Sequence, residues 1–164
     1  MSLSQLLSAA EPREDGFALA IPPDWLQGRT AYGGLSAALA LAAARRAAGD
    51  LPPMRSAQVA FVGPLAGPVE ARARVLRRGR NATWMTAELS GEGGVGLVAT
   101  MVFMRPVASR VHVAGATAPA PLVPPDQALP VADRNQPVFL QNFEARYAVS
   151  RSTEREPLTT AVRR

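Results

Sequence analysis

The sequence predicts an α+β fold in which one long apolar helix is held by a curved antiparallel sheet, and three observations lead there. Residues 35–44 follow the glycine pair Gly33-Gly34 as an uncharged run of leucine, serine and alanine, whereas a helix lying on a protein surface carries a polar stripe. Residues 69–76 alternate strictly, with Val69, Ala71, Ala73 and Val75 on one face and Glu70, Arg72, Arg74 and Leu76 on the other. That is the period of a strand with one buried side. Short glycine-bearing segments, Gly79-Arg80-Asn81 and Gly91-Glu92-Gly93-Gly94, separate three successive apolar runs, the pattern of antiparallel hairpins.

From the N-terminus, residues 1–13 place Leu3, Leu6, Leu7 and Ala10 at amphipathic helical spacing, with Pro12 as the stop. Residues 17–21 form a brief apolar run ended by Pro22-Pro23 and read as a first strand, and residues 24–30 form a loop. The helix is expected over residues 33–48, with Arg45 and Arg46 in its last turn, Gly49 as its C-terminal cap and Pro52-Pro53 blocking continuation. At about 1.5 Å per residue it spans about 24 Å. Because residues 37–44 are apolar on every side, it should be covered all round by other structure. Strands are then expected over 56–62, 69–76, 82–89 and 95–104, an antiparallel meander of four. The last is apolar on both faces, through Leu97, Ala99, Met101 and Phe103 and through Val98, Val102 and Met104. It should meet the helix on one side and another subunit or domain on the other.

These elements make one domain over residues 1–105. Residues 106–137 hold 7 of the 15 prolines and read as an extended linker. Residues 138–149 read as one more strand, and 150–164 as a polar tail. This last region is either the start of a second, truncated unit or a strand completing the sheet of the first unit or of a partner.

A chain of 164 residues has room for one domain with a real core plus extras. It has no cysteine, which excludes disulfides, thiolate metal sites and a cysteine nucleophile. The single histidine, His112, sits between two valines and is read as structural or solvent-facing, so no metal site is expected. The net charge is +5 and all 18 basic residues are arginine, whose planar fork suits phosphate and carboxylate. Nucleic-acid binding is disfavoured, because aromatics make up 5% of the chain and the arginines near 77–80 are too few for a basic stripe. The N-terminus lacks the order of a signal peptide, and no apolar run approaches the roughly 18 residues that span a bilayer. A cytoplasmic protein without a membrane partner is expected.

Three motifs occur in order: Gly28-Arg29-Thr30-Ala31-Tyr32-Gly33-Gly34 before the helix, Arg55-Ser56-Ala57-Gln58-Val59-Ala60-Phe61-Val62-Gly63-Pro64 after it, and Val75-Leu76-Arg77-Arg78-Gly79-Arg80-Asn81-Ala82-Thr83-Trp84 at a hairpin. Through them, residues 16–105 resemble the hotdog-fold acyl-CoA thioesterases, in particular the N-terminal half of the double-hotdog type typified by bacterial acyl-CoA thioesterase II. The resemblance implies a hotdog fold and hydrolysis of an acyl-CoA thioester, without a cofactor, in a tunnel between two hotdog units. It also implies that a backbone N–H at the start of the central helix polarises the thioester carbonyl, which makes Tyr32, Gly33 and Gly34 the candidate substrate-binding residues there. Read from the residues alone, the glycines either admit a carbonyl to the free N–H groups of the first turn or merely cap the helix and allow close packing. Arg77, Arg78 and Arg80 are candidates for the CoA phosphates; the competing reading is a solvated hairpin tip.

The departures from the family pattern concern the chemistry. In double-hotdog thioesterases the acid that activates water and its partners come from the C-terminal unit, which this chain does not build. Single-unit relatives often carry the acid on the central helix, yet no carboxylate lies between Asp24 and Asp50, and general base catalysis needs one within hydrogen-bond reach. Glu70 and Glu88 are expected on the solvated face and Asp24 in an ordinary turn. No catalytic residue is therefore assigned. The alternative function is a non-catalytic acyl-thioester-binding or structural hotdog. A lone hotdog leaves a sheet edge bare, so a homo-oligomer, a dimer or higher, is expected.

Overall fold

The computed structural model describes residues 1–111, 113, 115, 122–131, 136–147 and the backbone of 161–163. The chain divides into two units, Met1–Val107 and Ala108–Arg164. The first is a hotdog fold: a six-stranded antiparallel sheet in the order β1-β2-β6-β7-β8-β5 with one long helix packed on one face. Its elements are α1 (Leu3–Ser8), β1 (Glu11–Arg13), β2 (Gly16–Ile21), β3 (Leu26–Gln27), β4 (Thr30–Ala31), α2 (Gly33–Ala48), β5 (Met54–Phe61), β6 (Gly67–Arg78), β7 (Ala82–Gly91) and β8 (Gly94–Met104).

Helix α2 has the predicted ends. Gly49 closes it with φ of 67°, a conformation that costs glycine nothing, and its N–H bonds to the carbonyl of Arg45. Leu35, Leu39, Ala40, Ala43 and Ala44 are buried against the sheet, chiefly over β6 and β7. The expectation that every side is covered needs correction, because one sheet covers one face. Ala37, Ala38, Leu41 and Ala42 face the other way and are only half-buried.

The sheet supplies the rest of the core. Val69, Ala71 and Ala73 of β6, Met85, Ala87 and Leu89 of β7 and Leu97, Ala99, Met101 and Phe103 of β8 are all buried on the helix side. The opposite side of β8, through Val98, Thr100 and Val102, is half-buried. The alternation read in β6 holds to Val75, where a bulge intervenes. Val75 pairs with Met85 but Arg77 pairs with Trp84, so Leu76 is the extra residue. From there Arg77 shares the outer face with Trp84, and Arg78 shares the helix face with the buried Thr83.

Three further expectations are corrected. The four-strand meander is a meander of three, β6-β7-β8. The strand before it, β5, crosses to the far side of β8 and forms one edge, while β2 pairs with β6. Helix α1 ends at Ser8, and Pro12 lies in the edge strand β1 rather than closing a helix, a place where its missing N–H is tolerated. The loop over 24–30 contains a 3-10 turn, Pro23–Trp25, and the small hairpin β3-β4, turned at Gly28 with φ of 70°.

In the second unit, residues 138–149 do not form one strand. Val138–Asn142 is a 3-10 turn with Phe139 and Phe143 edge to face at 6.4 Å, followed by β9 (Ala145–Tyr147), which pairs with β10 (Ala161–Arg163). Residues 129–131, expected in a linker, run beside β9, where Val131 donates to the carbonyl of Ala145 and Tyr147 to that of Leu129. His112 and most of the polar tail lie outside the described residues.

Candidate functional site

The N-terminus of α2 is uncapped. Tyr32 occupies the cap position without a side-chain capping hydrogen bond, and the first helical bond runs from the N–H of Ser36 to its carbonyl at 3.2 Å. Among the described residues, nothing accepts from the N–H groups of Gly33, Gly34 or Leu35. These are the donors a helix end leaves over, and they carry its partial positive charge.

Two aromatic rings lie where side chains on the two glycines would stand. A Cβ on Gly33 would stand 3.1 Å from Cε1 of Phe61, and one on Gly34 would overlap the ring of Tyr32. The helix start is held in place through the loop after β5. Ala31 donates its N–H to the carbonyl of Leu65 at 2.6 Å, the Thr30 hydroxyl accepts from the Leu65 N–H at 3.0 Å and donates to its carbonyl at 3.3 Å, and Tyr32 donates to the carbonyl of Trp25. On the other side, the N–H of Val62 bonds to the carbonyl of Gly96 at 2.8 Å.

Between helix and loop lies an open groove of about 390 Å³, lined by Gly33 and Ser36 on one side, by Phe61 to Leu65 on the other, and by Gln27, Thr30, Ala31 and Gly96. Its wall is apolar apart from one amide and two hydroxyls. Thr30 is committed to Leu65, whereas Ser36, 3% exposed, has no hydrogen bond to its hydroxyl among the described residues. Among the described residues, no carboxylate lines this groove. Asp24 is bound instead by the Met1 ammonium at 2.5 Å, beside the Trp25 indole, which donates to the Met1 carbonyl. Glu70 lies on the outer face, held by Arg72 at 2.9 Å, and Glu88 is exposed there. The hydrogen bond that Arg72 donates to Glu70, together with the charge of Glu70, raises the Arg72 guanidinium above its ordinary pKa. Sequence reasoning singled out neither Phe61 nor Ser36. Ser36 was legible as the one hydroxyl on an otherwise apolar helix, three residues after Gly33 and hence on the same side.

The predicted phosphate-binding arginines lie at the other end of α2, about 24 Å away by the rise of a 16-residue helix. Arg78 reaches the helix C-terminus, donating from Nη2 to the carbonyl of Ala48 at 2.9 Å. Arg77 points to the outer face and Arg80 sits in the exposed hairpin turn. Arg55, whose Nε donates to the Met104 carbonyl at 3.4 Å, and Arg105, whose N–H bonds to Asn81, belong to this end too. Among the described residues, none of these five arginines pairs with a carboxylate; the arginines that do are Arg13, Arg72 and Arg146. One unit therefore does not bring the glycine pair and the arginines together. Among the described residues, no group of His, Asp and Glu could hold a metal ion, and no helix is long and apolar enough to cross a membrane.

A family model described as the acyl-CoA thioesterase N-terminal domain matches residues 21–104, which span the groove and the arginine hairpin. No match is found among the curated proteins. Among solved structures, the chain is similar to a hot dog fold protein of unknown function from Alicyclobacillus acidocaldarius, with 21% identity and a TM-score of 0.75 over 89% of this chain and 55% of that one. It is similar to a protein of Thermobifida fusca assigned provisionally as thioesterase II, with 24% identity and a TM-score of 0.72 over 89% and 54%. A Bacillus halodurans protein solved with CoA matches at 19% identity and a TM-score of 0.54, over 65% of this chain and 78% of that one. The chain spans about half the length of the first two structures.

Proposed function

The chain belongs to the acyl-CoA thioesterase N-terminal domain family, and on that premise we propose that it binds an acyl-CoA thioester with the carbonyl oxygen on the N–H groups of Gly33 and Gly34. The observation that carries this reading is the uncapped helix start opening into a groove. In hydrolysis, water attacks the carbonyl carbon, negative charge collects on the oxygen, and the CoA thiolate leaves as the free acid forms. Backbone donors fixed at that oxygen stabilise the charged stage more than the neutral ester. The base that takes the proton from water comes from a second unit, because no carboxylate reaches this groove.

A second copy of the chain joins through β5, which is exposed along almost its whole length and, among the described residues, free on one edge. From Ser56 to Phe61 it carries neither charge nor proline, the usual guards of an edge strand. Antiparallel pairing with the same strand of a second copy, centred on Gln58, sets the second copy's Arg55 opposite Phe61. The arginine end of one copy then lies beside the groove of the other, and Arg77, Arg78 and Arg80 approach the CoA phosphates from across the pair. Light scattering at micromolar concentration is expected to give a dimer or larger assembly, and a monomer overturns this pairing.

Binding without turnover is the second reading, favoured by the absence of a carboxylate from the groove wall. Release of free CoA from acyl-CoA, followed with a thiol reagent, separates the two. Release supports hydrolysis, tight binding without release supports a binding module, and neither overturns both.

A further inference from the structure

The side chain standing over the glycine pair differs from the rest of the groove wall. Phe61 is the last residue of β5 and, opposite Leu97, lies on the helix side of the sheet. Leu97 is fully buried, whereas Phe61 is 63% exposed, since α2 sits over β6 and β7 and leaves β5 bare. The ring comes to rest on Gly33, its Cε1 and Cζ lying 3.1 and 3.2 Å from the position a Cβ would take. It occupies the space of a missing side chain on the first helical residue.

The neighbouring wall is fixed. Leu65 is 2% exposed and packed onto Gly96, with room for no larger residue there, and its backbone is held by Thr30 and Ala31. Val62 is exposed but short, and its N–H is tied to Gly96. Phe61 is thus, among the described residues, the one large apolar side chain of the groove free to turn about its own χ angles, and it stands beside the donors that would receive the carbonyl.

We propose that Phe61 is the specificity-determining residue of this groove, setting how large an acyl group can be held when the thioester carbonyl reaches Gly33 and Gly34. The inference rests on the acyl-thioester reading of the site and goes beyond it by naming the side chain that limits the substrate. With the ring in place, carbons beyond those that fit between Phe61 and Leu65 gain no further apolar burial in the groove and add nothing. With the ring removed, each further methylene buried contributes about fourfold in affinity.

The test compares binding of a series of straight-chain acyl-CoAs, from acetyl to decanoyl, to the wild type and to Phe61→Ala and Phe61→Leu, with free CoA as the control. In the wild type, affinity is expected to rise with chain length and then level off. In Phe61→Ala the plateau moves to a chain longer by at least about two carbons, Phe61→Leu falls between, and free CoA binds all three within about twofold. Gly33→Ala, whose methyl group meets the ring, is expected to weaken binding more in the wild-type background than in Phe61→Ala, the coupling of two groups in contact beside the carbonyl site. Thermal unfolding checks each fold, and Phe61→Leu carries the test if Phe61→Ala does not fold. A chain-length profile unchanged by both substitutions overturns the role of Phe61 while leaving the thioester site standing. A wild type that binds no acyl-CoA of any length overturns that site and this inference with it.

Discussion

The two ends of α2 are built from opposite materials. At the N-terminus the chain offers neutral donors, two glycines under two aromatic rings, and an apolar groove without a carboxylate. At the C-terminus it gathers Arg55, Arg77, Arg78, Arg80 and Arg105, none in an ion pair among the described residues. Elsewhere in the sheet Arg13 is answered by Glu11 and Arg72 by Glu70, each at 2.9 Å, while Arg74 has no ion pair among the described residues. On the proposed function, unanswered charge at one end and unanswered N–H groups at the other would serve two parts of one ligand, its phosphates and its carbonyl. The helix holds those parts about 24 Å apart within a unit, so the contrast itself argues for a second unit that folds the two ends together.

That contrast can be broken from either side. The largest effect is expected at the groove. Gly33 is the first helical residue, where proline is favoured, and Tyr32 before it has φ of −53° and ψ of 126°, extended geometry that a following proline requires. Gly33→Pro therefore removes one N–H while keeping the helix, and Gly33→Ala, whose Cβ meets Phe61 as proline's does but which keeps the N–H, is its control. Relative to Gly33→Ala, turnover should fall about 100- to 1,000-fold, measured as CoA release, with little further change in melting temperature. Unchanged turnover would place the carbonyl elsewhere.

Reversing charge at the other end acts on a different part of the ligand. The double variant Arg77→Glu, Arg80→Glu is expected to weaken CoA binding about tenfold at low salt, with the deficit shrinking as salt rises. Binding of an acyl-pantetheine, which lacks the nucleotide, should not change. Equal losses for both ligands would mean the arginines support the fold rather than the phosphates.

The smallest effect separates the two roles of the hairpin. Arg78 caps the carbonyl of Ala48, so Arg78→Ala should cost about 0.3–1 kcal/mol of stability by denaturant unfolding, while Arg77→Ala leaves stability within about 0.5 kcal/mol.

How far these ends were legible follows from the range of the signals. Helix α2 was readable because its composition, its glycine ends and the prolines beyond are all local. The alternation of β6 was readable until the bulge at Leu76, which changes the face of Arg77 and Arg78 without leaving a mark in composition. The order of the sheet was not readable. β5 looks like the first member of a meander, but its pairing with β8 is a long-range choice that period-two patterning does not encode. For the same reason the glycine pair pointed to a close approach without saying by what, since the answer, Phe61, lies 28 residues further along the chain. The run 138–149 failed differently: its aromatic and β-branched residues suit a strand, yet the first five turn as a 3-10 helix in which Phe139 packs on Phe143.

The bulge in β6 also bears on how the hairpin can change length. Leu76 is the residue without a partner in the ladder, and Arg77 and Arg78 keep their places opposite Trp84 and Thr83 whether or not it is present. Loss of the single codon for Leu76 would straighten the strand and leave Arg78 on the helix side, whereas one codon gained beyond it would carry Arg78 to the outer face and free the last carbonyls of α2. The hairpin is thus open to shortening at one position and closed to lengthening next to it.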